Sequence, residues 1–196
     1  LNTGGMGAIS PVPFANKAFL KKIEDKIIQP TINGLALDQI DYKGFVFIGI
    51  IKVDDEPFVI EYNVRMGDPE TQVVLPRIKN DFLEMMICTA EQSLGKINLQ
   101  IDPKSASTVV MVSGGYPEEY EKGLEISGIP NNSPSSIIFQ AGTKVLNGKT
   151  VTNGGRVLSV TSISKGFKKA LKKSYETVEK IDYKKKYYRK DLGFDL

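Results

Sequence analysis

Glu61, Asn63 and Arg65 stand at alternate positions in the run EYNVRMGDPETQ, Glu61 to Gln72. In an extended segment successive side chains point to opposite faces, so these three share one face, and the spacing predicts that Ile60, Tyr62 and Val64 face a core on the other. A carboxylate and an amide oxygen about 7 Å apart along a strand suit Mg²⁺ whose remaining ligands are water and nucleotide phosphate. A guanidinium beside them can hold a phosphate bidentately. The chemistry suggested is phosphoryl transfer from a magnesium nucleotide. The same residues also suit an ordinary half-exposed strand with its polar side in water. The adjoining residues favour a site: Gly67 can take positive φ, Asp68 is an acid, and Pro69 starts a turn carrying Glu70 and Thr71.

The elements that must position these residues read as a mixed α and β chain. Residues 15–37 are helical in pattern, with Phe19, Ile23, Ile27 and Ile28 on one stripe and an interruption near Pro30 and Gly34. Residues 45–53 form an apolar strand that Asp54-Asp55-Glu56-Pro57 turns into the site strand, 58–65, as an antiparallel hairpin. A helix over 80–94, capped by Asn80 or Asp81, carries Phe82, Leu83, Met86, Ile87 and Ala90 inward. A polar connector at 98–105 divides the chain into 1–97 and 98–196. Beyond it, short strands are expected at 108–113, 136–140, 144–146 and 157–160, then an amphipathic helix over 164–181 with Phe167, Leu171, Tyr175 and Val178 inward.

Composition suits a piece of a soluble enzyme. In 196 residues, 26 basic against 23 acidic side chains give a net charge of only +3, which implies no nucleic-acid partner. Lys184, Lys185, Lys186, Arg189 and Lys190 read as a solvated face. Cys88 is the only cysteine, so no disulfide forms within the chain, and its helical apolar neighbours suggest packing in a reducing, cytoplasmic setting. No apolar run approaches a membrane span. Histidine is absent, which excludes histidine acid–base and metal chemistry.

Three glycine-rich segments stand out. Gly4-Gly5-Met6-Gly7 is either a flexible connector or a loop whose amides, with Asn2, Thr3 and Ser10 nearby, line a small anion. Without a Walker lysine or following helix it is no P-loop. Gly114-Gly115 and Gly154-Gly155 suit strand-end turns, and Arg156 after the second suits a phosphate or carboxylate contact.

These segments carry a resemblance. NTGGMGAISPVPF (Asn2–Phe14), the Glu61–Gln72 run with LPRIKNDF after it, SGGYPEEY (Ser113–Tyr120), FQAGTK (Phe139–Lys144), VTNGGRVLSVT (Val151–Thr161) and YRKDLG (Tyr188–Gly193) occur in the order of the phosphoribosylamine–glycine ligase family, ATP-grasp enzymes of purine biosynthesis. The chain resembles that family's C-terminal part over nearly its whole length. The resemblance implies an α+β fold: the C-terminal part of an ATP-grasp domain over 1–97, an antiparallel sheet with packed helices, then a small mainly β subdomain with a C-terminal helix. It implies ATP as co-substrate, Mg²⁺ or Mn²⁺ on Glu61 and Asn63, and Arg65 on the transferring phosphate. Glycine and 5-phosphoribosylamine would be the other substrates. Gly4, Gly5, Met6, Gly7, Gly67 and Thr71 would line the acceptor site, where Asp68 or Glu70 orients an amine, and Thr143, Arg156 and Arg189 would bind the ribose phosphate. The chain opens at Leu1 inside its own glycine loop, so it reads as a fragment whose partner is the missing N-terminal domains, inactive alone. Gln140 stands where relatives carry histidine, and Ile9 where they carry an aromatic. A biotin-dependent carboxylase relative, another ATP-grasp ligase and a non-catalytic binding module are the competing readings.

Overall fold

In the computed structural model, which describes residues 1–196, the strands are β1 (Gly7–Ser10), β2 (Phe47–Val53), β3 (Glu56–Asn63), β4 (Ser105–Val112), β5 (Ser136–Gln140), β6 (Thr143–Leu146), β7 (Lys149–Thr152) and β8 (Arg156–Ser164). The helices are α1 (Lys17–Ile23), α2 (Gln29–Leu37), α3 (Thr71–Val74), α4 (Phe82–Ala90) and α5 (Phe167–Val178), with a π-helical stretch, Glu24–Ile28, joining α1 to α2. The architecture is α+β, and every strand pair is antiparallel. No helix is long and apolar enough to cross a membrane. Two compact units arise, each discontinuous in sequence. The first comprises Leu1–Pro11, Asp68–Ile78 and Ile101–Asp195; the second comprises Val12–Gly67 and Lys79–Gln100, with Leu196. The polar connector expected at 98–105 is one of several points where the chain passes from one unit to the other.

The first unit holds most of the hydrophobic core. Its four-stranded sheet has the order β1-β4-β8-β5, with β4 buried along its whole length. Val109, Met111, Leu158 and Val160 pack with Leu171 and Val178 of α5 and with Ile181, Tyr183 and Tyr188. Ala170, Leu171, Ser174 and Val178 form the buried face of α5, while Phe167 and Tyr175, expected inward, are half-buried. Strands β1 and β7 lie outside the expected set: β1 begins within the segment read as a glycine loop, and β7 is the return strand of a short hairpin with β6. Thus the glycine loop does not hang free: Gly7 pairs with Val109 and Ser10 with Ala106.

One side chain joins all three segments of this unit. The Arg77 guanidinium donates to Ser10 Oγ (2.7 Å), Lys104 O (2.8 Å) and Asp102 O (3.1 Å). Burial lowers its pKa from the usual guanidinium value, which still leaves it charged. Arg77→Ala should destabilise the chain by about 2 to 4 kcal/mol, because charge-assisted bonds are lost and carbonyls are left without donors. Lysine should restore only part, since a point charge cannot span three acceptors. Urea unfolding measures this; a change below about 0.5 kcal/mol would make Arg77 an ordinary surface residue.

The second unit is built on the β2–β3 hairpin. Asn16 caps α1 by accepting from Phe19 N at 2.9 Å; of the expected stripe Phe19 and Ile27 are buried, Ile23 is half-buried and Ile28 is exposed. The helix is not broken at Pro30: the wide π-helical stretch precedes it, and α2 continues through Gly34. Glu56 accepts from Lys22 (2.6 Å) and Lys26 (2.5 Å), and these bonds, the Lys22 bond first, hold its carboxyl at about 2. Asp81, not Asn80, caps α4, accepting from Glu84 N at 3.0 Å; Asn80 instead bonds Asn98 O and Gln100 N.

Two expectations about this unit's packing fail. Ile60, Tyr62 and Val64 are 66%, 50% and 74% exposed, and Phe82, Leu83 and Ile87 of α4 are exposed too. A two-stranded hairpin with helices has no second layer to bury both of its faces within the chain. The alternation is also broken by a bulge: Gly49 pairs with Glu61 but Ile50 with Val59, so Ile60 is the extra residue.

Candidate functional site

Each unit carries one group of the residues singled out by sequence. In the second, Gly49 lies opposite Glu61, and Phe47 opposite Asn63, so both polar side chains stand on one face of the hairpin. Asn63 Nδ2 donates to Glu61 Oε1 at 3.0 Å, which leaves the amide oxygen and the second carboxylate oxygen as ligands. Gly49 makes room for this: a Cβ there would lie 3.0 Å from Glu61 Cγ. The pair fits an ion that takes one or two protein oxygens and fills its octahedron with water and phosphate, as Mg²⁺ does. It does not make a closed metal cage, and no group of three His, Cys, Asp or Glu residues elsewhere could hold a metal. Arg65 lies past the end of β3, not within it, and its Nη1 donates to Met66 O at 2.9 Å. Gly67 is buried where this unit ends.

In the first unit, four motifs far apart in sequence converge. Arg156, the first residue of β8, reaches across to the Asp68 turn: Nη2 lies 2.5 Å from Asp68 Oδ2, and Nη1 donates to Asp68 O at 2.9 Å and to Gly5 O at 3.4 Å. Gln72 Nε2 donates to Asp68 Oδ1 at 3.0 Å, so both carboxylate oxygens are engaged. Glu70 is half-buried at the start of α3, where its carbonyl accepts from Val73 N and Val74 N. Thr71 is the first residue of α3. Tyr116 Oη accepts from Gly4 N at 3.0 Å.

The glycines here are dictated by close approach. A Cβ on Gly5 would collide with Pro69, and one on Gly155 with the Tyr116 ring. Gly7 is excluded from larger side chains by Leu192, so it packs the end of the chain onto β1 and exposes no amide loop of its own. Met6 likewise takes part in the sheet, its carbonyl accepting from Val110 N at 3.1 Å. Ser10 is committed to Arg77.

Thr143 and Arg189 have other immediate partners. Thr143 Oγ1 donates to Gln140 Oε1 at 2.8 Å, so Gln140 acts there as a hydrogen-bond acceptor. Arg189 makes a bidentate pair with Asp191, Nε to Oδ1 at 2.9 Å and Nη2 to Oδ2 at 2.8 Å, and its carbonyl accepts from Tyr175. Sequence reasoning missed Gln72, Tyr116 and Gly49. The first two lie inside the family-like motifs, but only their partners reveal their roles.

Comparison with known proteins accords with these motifs. Residues 1–71 match the model of the phosphoribosylglycinamide synthetase ATP-grasp (A) domain, and residues 106–195 match that of the phosphoribosylglycinamide synthetase C domain. A phosphoribosylamine–glycine ligase of Fusobacterium nucleatum is 44% identical over 98% of this chain and 46% of its own. A bifunctional purine biosynthetic protein of Pichia angusta is 47% identical over 98% of this chain and 25% of its own. The crystal structure of a phosphoribosylamine–glycine ligase from Thermotoga maritima superposes with a TM-score of 0.85 at 35% identity, covering 97% of this chain and 47% of that one. The chain thus spans less than half the length of these relatives. With the two domain models matched in order along it, the chain belongs to the phosphoribosylglycinamide synthetase family, as the C-terminal part of the ATP-grasp domain followed by the C domain.

Proposed function

We propose that this chain is part of an ATP-dependent ligase that joins glycine to 5-phosphoribosylamine in purine biosynthesis. The observation that carries the reading is the Glu61–Asn63 pair, side by side on an open hairpin face in a member of this family. In the reaction, the glycine carboxylate attacks the γ-phosphorus of ATP, the bond to ADP breaks, and glycyl phosphate forms. The amine of phosphoribosylamine then attacks the acyl carbon, releasing phosphate and a proton and leaving glycinamide ribonucleotide. Large negative charge develops on the transferring group, so positioning and neutralisation supply most of the rate.

Glu61 and Asn63 would hold Mg²⁺ or Mn²⁺, which would neutralise nucleotide phosphate oxygens. Arg65 would turn from the Met66 carbonyl onto the transferring phosphate. At the acceptor end, Gly4 and Gly5 would line the pocket, with Gly67 and Thr71 bounding its turn. Thr143 would face the ribose phosphate, and Arg156, paired with Asp68, and Arg189, paired with Asp191, would bind it by sharing or releasing those carboxylates. Asp68 is bound to Arg156 and Gln72, so Glu70 is the better placed acid to orient an amine. The family's ATP-grasp and C domains would meet near residues 98–105, and the setting would be cytoplasmic.

The chain alone is expected to fold but to make no glycinamide ribonucleotide, since half an enzyme of this family cannot position three substrates. Joined to the preceding half of the Fusobacterium nucleatum relative, it should turn over ATP, glycine and phosphoribosylamine. Absence of ligation in that joined enzyme, properly folded, would overturn the proposed function. Ligation by the isolated chain would overturn the expectation of dependence.

A further inference from the structure

Strand β1 is four residues long and lies at the edge of the first unit's sheet with β4 as its one partner strand, so its ladder alone fixes it weakly. Residues 188–193 supply a second hold from the α5 side. The methyl groups of Leu192 occupy the space where a Cβ on Gly7 would stand. Gly193, at φ 71°, brings its backbone onto the same strand: a Cβ there would lie 2.9 Å from Ile9 Cδ1. Leu192 also packs against the main core. This segment is hung on α5 by a single phenol. Tyr175 Oη donates to Arg189 O at 2.9 Å and accepts from Leu192 N at 3.3 Å, so one hydroxyl ties down both ends of residues 189–192.

Gly7 is the point where the glycine loop enters the sheet. Just before it, Met6 O accepts from Val110 N at 3.1 Å, and Gly5 lies against Pro69, so the loop is held between β1 and the turn that precedes α3. A shift of Gly7 away from β4 is therefore passed directly to Gly5 and Gly4. On the reading that Gly4 and Gly5 line the acceptor end of the ligase, we infer that Leu192 and Tyr175 are positioning residues: Tyr175 holds residues 189–192 on α5, Leu192 presses Gly7 into the sheet, and the loop is thereby fixed in place. Both side chains act through the loop and not by contact with substrate. Gly7 and Leu192 form a matched pair, the missing side chain of one leaving the room that the other fills.

Two variants test this. Tyr175→Phe keeps the half-buried ring and removes only the hydroxyl; Leu192→Ala removes the methyl groups over Gly7. In the 196-residue chain both should speed amide hydrogen exchange at Gly4 and Val110, whose N–H groups bond Tyr116 Oη and Met6 O, and leave Ile138 on the opposite edge strand unchanged. In the joined ligase both should raise the KM values for glycine and phosphoribosylamine by about tenfold and keep that for ATP within about twofold, since a displaced loop misplaces the substrates beside it. Leu192→Met, of similar volume, should restore both readouts. Exchange that quickens equally at Ile138, or not at all at Gly4 and Val110, would overturn the inference, as would KM values that stay unchanged or rise alike for all three substrates. Failure of the ligase reading would register differently, as absent turnover in the unsubstituted joined enzyme with the exchange pattern intact.

Discussion

Glu61→Gln in the joined ligase is expected to lower kcat by about 10²-fold or more, the equivalent of roughly 3 kcal/mol of lost charge stabilisation. The fold should be unaffected. Glu61 is exposed on the hairpin and contacts Gly49 and Asn63; glutamine keeps the same length and still offers Asn63 Nδ2 an oxygen acceptor. What it removes is the formal charge that an ion between protein and nucleotide needs. Raising Mg²⁺ should recover part of the lost rate, because a weakened site is refilled by mass action. Asn63→Ala should act in the same direction but less, since it deletes a neutral ligand. If Glu61→Gln turns over at the unsubstituted rate with the same Mg²⁺ dependence, Glu61 is a solvated strand residue and the site lies elsewhere.

That pair was legible because its information is local. Two residues on one strand share a face whatever the rest of the fold does, and the turn before them was readable in place but not in length: Asp54 and Asp55 alone make it, with φ of 48° and 62°, while Glu56 and Pro57, read as turn, already pair in β3. The bulge was not legible, since Ile60 looks like any other apolar strand residue until its partner is known. Burial failed for a different reason. The apolar residues of β3 and α4 have the pattern of a core, but pattern fixes which face is apolar and not whether anything covers it. The cluster around Asp68 and Arg156 lay beyond the reach of local spacing altogether: Asp68 and Arg156 are 88 residues apart, and Gly4 and Tyr116 are 112 apart. Gly4, Asp68 and Arg156 drew notice singly and Tyr116 not at all, and the resemblance ordered the segments that hold them. Their contacts emerge only because β1 joins a sheet whose other strands follow Ile101.

Arg156→Ala is the substitution for which sequence and structure jointly give the sharpest expectation. A guanidinium lost from a phosphate contact costs about 2 to 3 kcal/mol, so the KM for phosphoribosylamine should rise roughly 30- to 150-fold, with the KM values for ATP and glycine nearly unchanged. The structure adds a second consequence, because the same change strips Asp68 of its partner. The Asp68 side chain is 51% exposed, so water can take over part of that bond, and the stability cost should stay near about 1 kcal/mol. Asp68→Asn then separates two roles. If Asp68 serves to hold Arg156, asparagine raises the KM for phosphoribosylamine more mildly and leaves kcat in place, since Gln72 and the Asp68 carbonyl still fix the turn. If Asp68 itself orients the attacking amine, kcat falls while that KM barely moves. An Arg156→Ala enzyme whose KM rises for ATP would assign this guanidinium to the nucleotide phosphates, and one with no change in any KM would leave the Arg156–Asp68 pair a purely structural link between β8 and the turn before α3.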